Sequence, residues 1–244
     1  MWSHFKSYSL KDKEIFNGFT DYHSHILPGV DDGIESIDSS LKVLSFYEKL
    51  GIREVWLTPH IMEDIPNTTE HLRSRYQELK TDYRGKIILH LASENMLDNL
   101  FIERFEKDDV LPLLDNNYKY LLVETSYFNP PMNFFEILEK IKSKGYYPVL
   151  AHPERYIYLK WKDYLRLKKM KIYFQLNIAS LTKYSTKDAQ HKAKKLLLNN
   201  MYNCTGSDLH LLSDFNSEIN FKIRNQKLLN AAEDLSKKQI IRIT

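Results

Sequence analysis

The sequence predicts a parallel α/β fold that is closed as a barrel. Seven short apolar runs alternate with amphipathic segments of helical period, and no hairpin signal joins neighbouring runs. Six of the seven runs have His, Asp or Glu at or just beyond their ends. In a barrel the carboxyl ends of all strands open on one shared face, whereas an open doubly wound sheet gathers ligands only near a switch point. The placement of polar residues therefore favours the barrel.

The predicted elements follow from apolar spacing and from turn signals. The strands are short apolar runs at residues 19–26, 53–60, 86–92, 118–123, 146–151, 172–177 and 202–206. The helices carry apolar residues three or four positions apart, at 36–50, 72–83, 100–106, 133–144, 161–169 and 187–198. Gly51 and Gly145 end two of these helices. The remainder to residue 244 has a helical, amphipathic pattern apart from a short end.

Length and composition bound the class of protein. The 244 residues suffice for one barrel, and no linker divides them, so we predict a single domain at 19–244 after an N-terminal extension at 1–18. A net charge of +3 is too small to indicate nucleic acid or a membrane surface as a partner. The single cysteine, Cys204, excludes a disulfide framework. Without a signal-peptide core or a bilayer-spanning apolar run, the expected location is the cytoplasm, without stable membrane insertion.

Metal-ligating side chains lie at or just beyond the predicted strand ends. The candidates are His23, His25, Asp32, His60, Glu94, Glu124, His152, Asp208 and His210. Each alone has an ordinary explanation, such as a hydrogen-bonded core histidine or a helix cap. Together at one barrel mouth, the carboxylates would be costly unless cations compensated them. Five imidazoles with four carboxylates suit Mn, Fe or Zn, and nine ligands exceed one coordination sphere. Two or three metal ions are therefore implied.

The residues around these ligands indicate metal-assisted hydrolysis of a phosphate ester. Clustered metals lower the pKa of a bridging water and neutralise charge on a phosphoryl group. Arg155 follows His152 by three positions and could hold a phosphate oxygen, although a salt bridge to Glu154 or to a neighbouring helix is the alternative. A cysteine phosphatase loop is missing, because His210 stands where that loop needs an arginine. No aspartyl-phosphate motif, Walker loop or dinucleotide fingerprint is present either.

These motifs resemble the polymerase-and-histidinol-phosphatase (PHP) superfamily. The likeness covers residues 19–212 and is carried by the Asp-Tyr-His-Ser-His run and the Asp-Asp-Gly that follows it at 21–33, and by the segments 58–60, 151–156 and 206–210. Within that superfamily, the chain is most similar to the manganese-dependent bacterial protein-tyrosine phosphatases encoded with capsular and exopolysaccharide genes. The resemblance implies a distorted seven-stranded barrel that holds three metal ions, with Mn²⁺ expected and Fe or Zn as alternatives.

The resemblance also implies a role for each candidate. One metal would take His23, His25, Glu94 and Asp208; a second would share Glu94 with Glu124 and His152; the third would take Asp32, His60 and His210. Arg155 would bind the substrate phosphate. The implied substrate is phosphotyrosine on a bacterial tyrosine kinase that regulates capsule or exopolysaccharide synthesis. Some members of the family carry a second arginine after the last histidine, whereas the next basic residues here are Lys222 and Arg224.

Two other functions stay open at this point. A small-metabolite phosphatase, such as one for histidinol phosphate, would be indicated by a narrow pocket closed by the loop at 61–69, whereas a shallow open mouth would favour a protein substrate. A non-catalytic, metal-stabilised binding domain would predict missing ligands, and none is missing. A nuclease is disfavoured by the low net charge. The sequence leaves oligomerisation open.

Overall fold

The structure, a computed structural model, describes residues 6–114 and 118–238. Within these ranges its strands are β1 (Thr20–Ser24), β2 (Glu54–Leu57), β3 (His60–Ile61), β4 (Ile88–Leu91), β5 (Glu94–Met96), β6 (Leu113–Leu114), β7 (Lys119–Glu124), β8 (Tyr146–Leu150), β9 (Tyr173–Asn177) and β10 (Cys204–Gly206). Its helices are α1 (Ile37–Leu50), α2 (Thr69–Asp82), α3 (Asn99–Glu106), α4 (Phe134–Ser143), α5 (Trp161–Lys169), α6 (Lys187–Leu198), α7 (Leu212–Asn220) and α8 (Gln226–Ser236).

The strands form two curled sheets that are parallel except at β6. One has the order β1-β2-β4, and the other has the order β10-β9-β8-β7-β5-β3, with β6 antiparallel to β7. The first and last strands meet at a seam, where Ser24 forms a parallel bridge with Leu209. At this seam the Asp208 amide donates to the His23 carbonyl at 2.7 Å. The fold is thus a mixed α/β fold with a curled parallel sheet, as predicted at the level of class.

One predicted strand is divided in the structure, and two short strands, β5 and β6, were not predicted. The strand predicted at 53–60 is divided into β2 and β3, because Pro59 has no N–H group for a sheet ladder. Glu94 begins a separate strand, β5, three residues after the end of β4. Strand β6 was not predicted, since a two-residue strand carries no readable alternation. The other predicted strands and helices coincide with observed elements to within a few residues.

The N-terminal extension packs on the C-terminal helices. Tyr8 forms an antiparallel bridge with Ile223, and Leu10, Ile15 and Phe16 are buried in the main hydrophobic core. The start of the extension, residues 1–5, and the short C-terminal end, residues 239–244, lie outside the described residues. Across the described ranges, no helix has both the length and the apolar content needed to cross a bilayer.

Candidate metal centre

The structure brings all nine sequence-predicted ligand residues together. They come from strand ends and the loops after them, and each has a ligand atom close to that of another member. Three groups of such atoms lie mutually within 4.8 Å of one another. The groups are His23, His25, Glu94 and Asp208; His60, Glu94 and Glu124; and His25, Asp32, His60 and His210.

The deepest group surrounds the side chain of His23. Its Nε2 atom lies 3.0 Å from Glu94 Oε2, 3.1 Å from His25 Nε2 and 3.4 Å from Asp208 Oδ1. All four side chains are at most 4% exposed. Two imidazole nitrogens from β1 and its end, and two carboxylate oxygens from β5 and the loop after β10, form a donor set suited to a divalent transition metal.

Glu94 connects this group to a second one. Its Oε1 atom lies 3.0 Å from His152 Nε2, and its Oε2 atom lies 3.1 Å from His60 Nδ1. Glu124 joins from β7, with Oε1 at 3.0 Å from His60 Nδ1 and Oε2 at 3.8 Å from His152 Nε2. The two oxygens of Glu94 therefore face different sets of partners, as a bridging carboxylate would.

The outer group lies at the rim. Asp32 Oδ1 is 3.3 Å from His210 Nε2 and 3.6 Å from His60 Nε2. The Asp32 side chain is 66% exposed and that of His210 is 29% exposed. The mouth of the centre is therefore open to solvent on this side.

Several buried polar atoms of the centre lack hydrogen-bonded partners among the described residues. They are Nδ1 of His60, Oε1 of Glu124 and Nδ1 of His152. His60 Nδ1 and Glu124 Oε1 are only 3.0 Å apart, yet their geometry does not form a hydrogen bond. Buried polar atoms without partners are uncommon, and donor atoms that crowd together without bonding are expected of ligands around a shared cation. The residues present thus fit a metal site.

The charged groups of the centre shift one another's pKa values. Burial opposes protonation of His23, but Glu94 and Asp208 outweigh it and raise the pKa of His23 to about 9. Burial would raise the pKa of Glu94, yet His23 and His60 hold that pKa well below its usual range. The pKa of Asp208 is likewise held low against burial, chiefly by Arg155. Glu94 and Asp208 are therefore anionic at neutral pH, which is the form that binds metal ions.

Two side chains that the sequence analysis did not identify orient the histidines. Asp31 Oδ2 lies 2.7 Å from His25 Nδ1, so Nε2 of His25 faces the centre. Gln175 Oε1 lies 3.0 Å from His23 Nδ1 and also accepts from the His152 amide at 3.1 Å. Outer partners of this kind fix the tautomer and orientation of ligating histidines. A sequence signal existed for Gln175, because a polar residue interrupts the apolar run of β9.

Backbone conformation and small residues allow the close approach of the strands. His152 and Asp208 have positive φ angles of 33° and 53°, a left-handed region in which residues other than glycine are uncommon. Gly206 lies against β1, and a Cβ atom there would be 2.4 Å from the Cβ of His23. Glycine at this position lets β10 approach β1 closely enough for Asp208 to reach the centre.

Arg155 lies beside the centre. Its Nη1 atom is 2.5 Å from Asp208 Oδ2 and donates to the Tyr127 hydroxyl at 3.1 Å. Asn177 also donates to Asp208 Oδ2, at 2.7 Å. The predicted alternative, a pair between Arg155 and Glu154, does not form, because Glu154 accepts instead from the Asn177 amide and from the Tyr202 hydroxyl.

Comparison with known proteins gives the family. Residues 19–238 match the family described as "Capsular polysaccharide synthesis, CpsB/CapC". The chain belongs to the CpsB/CapC family. Among its relatives, CapC of Staphylococcus aureus is 28% identical over 139 residues, which cover 55% of this chain and 54% of that protein. The match thus spans about half the length of that relative. Tyrosine-protein phosphatase YwqE of Bacillus subtilis is 31% identical over 139 residues, which cover 55% of this chain and 54% of that protein.

A longer alignment and a solved structure extend the likeness. Tyrosine-protein phosphatase CpsB of Streptococcus agalactiae is 27% identical over 212 residues, covering 79% of this CpsB/CapC chain and 83% of that protein. A structure from work on Bacillus subtilis YwqE and Streptococcus pneumoniae CpsB, described as unique metal-dependent tyrosine phosphatases, has a TM-score of 0.73 at 24% identity. It covers 92% of this chain and 97% of the solved chain. At that identity the structural match establishes the shared fold.

Proposed function

We propose that this chain is a metal-dependent protein-tyrosine phosphatase that hydrolyses phosphotyrosine on a protein of capsule or exopolysaccharide synthesis. The observation that carries the proposal is the convergence of five imidazoles and four carboxylates beside one arginine. Membership of the CpsB/CapC family and the phosphatase names of the CpsB and YwqE relatives support it. We infer a bacterial tyrosine kinase as the substrate protein and the cytoplasm as the location.

The proposed ligands form three sets. His23, His25, Glu94 and Asp208 would hold one ion, Glu94 with Glu124 and His152 a second, and Asp32, His60 and His210 a third. The short distances from His23 to Glu94, from Glu94 to His152 and from Asp32 to His210 support this division. His60 lies between the second and third sets, with Nδ1 towards Glu94 and Glu124 and Nε2 towards Asp32. Mn²⁺ is the ion we expect, with Fe or Zn as alternatives. Bound ions of this kind lower the pKa of water so that it can attack, and neutralise charge on the phosphoryl oxygens.

Arg155 would bind the phosphate of the substrate. In the structure only its Nη1 atom donates to side chains of the described residues, namely Asp208 and Tyr127. A guanidinium has five N–H donors, so others remain to hold phosphate oxygens in a fork geometry. Burial would lower the pKa of Arg155, but Asp208 outweighs it and raises that pKa, which keeps the group cationic.

The shape of the mouth favours a protein substrate over a small metabolite. Asp32 is two-thirds exposed and His210 is also accessible to solvent. The loop at 61–69, which would have to close over a metabolite, is held at its base, since Asn67 donates to the carbonyls of Val30 and His60. A phosphotyrosine side chain on a protein surface could therefore reach the centre from the open side.

The test is hydrolysis by chelator-treated protein before and after addition of Mn²⁺, with a phosphotyrosyl peptide and histidinol phosphate in parallel. Activity that Mn²⁺ restores on the peptide, with little on the metabolite, is the expected result. The opposite preference would keep the metal centre and move the function to metabolite hydrolysis. Absence of activity on both substrates would favour a binding domain.

Variants separate the proposed ligands from the phosphate-binding residue. His152→Ala and Asp208→Ala are expected to abolish turnover, while His71→Ala, at an exposed histidine of α2, serves as the matched control. Arg155→Ala should raise KM for the phosphotyrosyl peptide, and Arg73→Ala, on the exposed face of α2, should leave it unchanged. Unchanged turnover in either ligand variant would remove that residue from the centre.

We also infer that the two sheets are parts of one distorted seven-stranded barrel. Each of the pairs β2–β3 and β4–β5 would then be one barrel strand with a bend, and the Ser24–Leu209 bridge supports closure between the first and last strands. Residues 19–244 would form this one domain. The burial of Leu10 and Phe16 suggests that the extension at 1–18 contributes to its stability.

A further inference from the structure

Positive charge is concentrated in one part of this chain. Residues 160–195 contain 11 of the 35 Lys and Arg residues but only 2 of the 32 Asp and Glu residues. This segment therefore has a formal net charge of +9, while the rest of the chain has a net charge of −6 and the whole has +3. Charge of one sign gathered on part of a surface attracts partners of the opposite sign.

The charge lies on the outer faces of α5 and α6. Lys162, Arg166 and Lys169 are exposed on α5, and Lys187, Lys194 and Lys195 are exposed on α6. Within the described part of the chain, Lys192 is the only one of the segment's eleven basic side chains that forms an ion pair, with Asp188 at 2.7 Å. Most of this positive charge is therefore not neutralised by the protein itself.

A groove of about 280 Å³ runs between the two helices and the segment that enters α5. Its apolar lining includes Leu159, Trp161 and Leu196. Its charged side chains are Lys160, Lys192 and Lys195 and one carboxylate, Asp188, which pairs with Lys192, so that Lys160 and Lys195 carry its unpaired positive charge. The Lys195 ammonium lies 4.2 Å from the centroid of the Trp161 ring. An apolar floor with cationic edges fits an extended peptide that carries anionic side chains.

The groove begins next to the proposed phosphate-binding residue. Lys192 donates to the carbonyl of Tyr156, which follows Arg155 directly, at 2.8 Å. Ile157 lines the groove, and its amide donates to the carbonyl of Tyr127, whose hydroxyl accepts from Arg155. Because a residue spans at most about 3.6 Å of extended chain, Ile157 lies within about 7 Å of Arg155 and Lys160 within about 18 Å along the backbone.

We propose that this groove binds the part of the substrate chain that flanks the phosphotyrosine, and that it selects flanks bearing carboxylate or phosphate groups about two to five residues from the reacting tyrosine. The inference rests on the proposed function of the metal centre and adds a substrate preference to it. A membrane surface with anionic lipids would also be attracted by the charge. The peptide is favoured because Leu159 and Leu196 at the floor are buried and because Ile157, two residues after Arg155, lines the groove.

The binding experiment uses the full, Mn²⁺-loaded chain and peptides that contain a non-hydrolysable difluorophosphonate analogue of phosphotyrosine. Three fluorescent peptides of equal length carry Glu, Gln or Lys at the flanking positions, and fluorescence anisotropy gives their Kd values at low and high salt. The Glu peptide is expected to bind about tenfold more tightly than the Gln peptide. Each exposed charge pair strengthens binding by less than tenfold, and two or three such pairs together give about this difference. High salt should reduce this preference.

Charge variants test whether the lysines of the groove cause the preference for the Glu peptide. Lys160→Gln combined with Lys195→Gln should reduce the preference for Glu over Gln to about twofold. The matched control is Lys42→Gln combined with Lys49→Gln, which removes the same charge from exposed positions on α1 and should retain the full preference. Lys160→Glu alone, at an exposed position before α5, provides a second variant that should reduce the preference if the double variant folds poorly.

Several results would overturn the inference. Equal binding of the Glu and Gln peptides by the wild-type chain would do so, as would an undiminished preference in the folded groove variants. The chain could instead co-sediment with phosphatidylglycerol vesicles, lose this binding in the lysine variants and show no preference among the peptides. That result would assign the surface to membrane binding. Failure of the proposed function is distinguishable, because it appears as absence of phosphotyrosyl hydrolysis by the wild-type chain, while the binding comparison still decides the groove.

Discussion

His25 and Asp31 form the contact that sets which nitrogen of His25 faces the metal centre. The distance from His25 Nδ1 to Asp31 Oδ2 is 2.7 Å, and the same carboxylate accepts from the backbone amides of His60 and Gly33. One buried carboxylate therefore positions two of the proposed ligands and the turn between them. Asp31 directly precedes the proposed ligand Asp32, but it orients other proposed ligands and is not itself one of them.

Replacing Asp31 by Asn should weaken metal binding. The amide nitrogen of Asn must face a donor, either the Gly33 amide or the groups at His25 and His60, so at least one hydrogen bond is lost. Changes to outer partners of metal-ligating histidines typically reduce affinity by about 10–100-fold. Calorimetric titration with Mn²⁺ measures this, with Asp64→Asn at an exposed position as the control. An affinity equal to that of the wild type would show that His25 needs no support from Asp31.

Replacing Gly206 by Ala should separate β10 from β1. The new Cβ atom would lie 2.4 Å from the Cβ of His23, far inside the normal contact distance, so the two strands must move apart. We expect a loss of more than about 2 kcal/mol in the free energy of unfolding, together with weaker Mn²⁺ binding. Gly145→Ala, where no atom lies within 4 Å but φ is +85°, should lose about 1 kcal/mol and keep its metal affinity. Urea unfolding and metal titration of both variants provide the comparison.

The N-terminal extension should contribute to folding stability. Phe16 is 1% exposed, and its ring packs edge-on against Phe19 and Phe215 at centroid distances of 5.7 Å. Phe16→Ala should lower the free energy of unfolding by about 3–5 kcal/mol. Phe128→Ala, at a ring that is 67% exposed, should change it by less than about 0.5 kcal/mol. Similar urea midpoints for the two variants would mean that the extension is only loosely attached to the domain.

Glu218 should make stability depend on pH. Burial raises its pKa, Arg155 opposes this and Asp208 adds to it, so that the pKa is about 7 instead of 4.5. The folded state therefore holds the proton more tightly than the unfolded state, and the resulting stabilisation is complete below pH 4.5 and is lost as the pH rises through about 7. The shift in pKa corresponds to about 3 kcal/mol at most, and we expect about 2 kcal/mol because Glu218 is partly exposed to solvent.

Glu218→Gln removes this dependence, because Gln carries no titrating proton. In the presence of a chelator, the variant should be more stable than the wild type at pH 8 and similar to it near pH 5. Urea unfolding at both pH values measures the difference, and Glu103→Gln, at an exposed position on α3, provides the control. A difference between wild type and Glu218→Gln that does not change with pH would contradict the raised pKa.

The sequence predicted the fold class and the residues that converge, for physical reasons. Apolar runs and helical spacing are local, so strands such as β7 and β8 could be recognised from short windows. The nine proposed ligands were recognised because polar residues at strand ends must meet where parallel strands end. Gln175 and Asp31 were missed, because their roles depend on contacts with His23 and His25 that only the packed structure shows. The bend after β2 and the short β6 were missed because too few residues carry a pattern.

The seam between the first and last strands has a consequence for how the chain assembles. Asp21 and Ser207 are hydrogen-bonded across a separation of 186 residues. Closing a loop of that length has an entropic cost on the order of 5 kcal/mol, which contacts across the seam must offset. A nascent chain emerging from the ribosome would carry His23 and His25 long before Asp208 and His210 are added. We therefore expect metal ions to bind only after the segment with Asp208 and His210 has been translated. Bound ions would then stabilise the contact between β1 and the loop after β10.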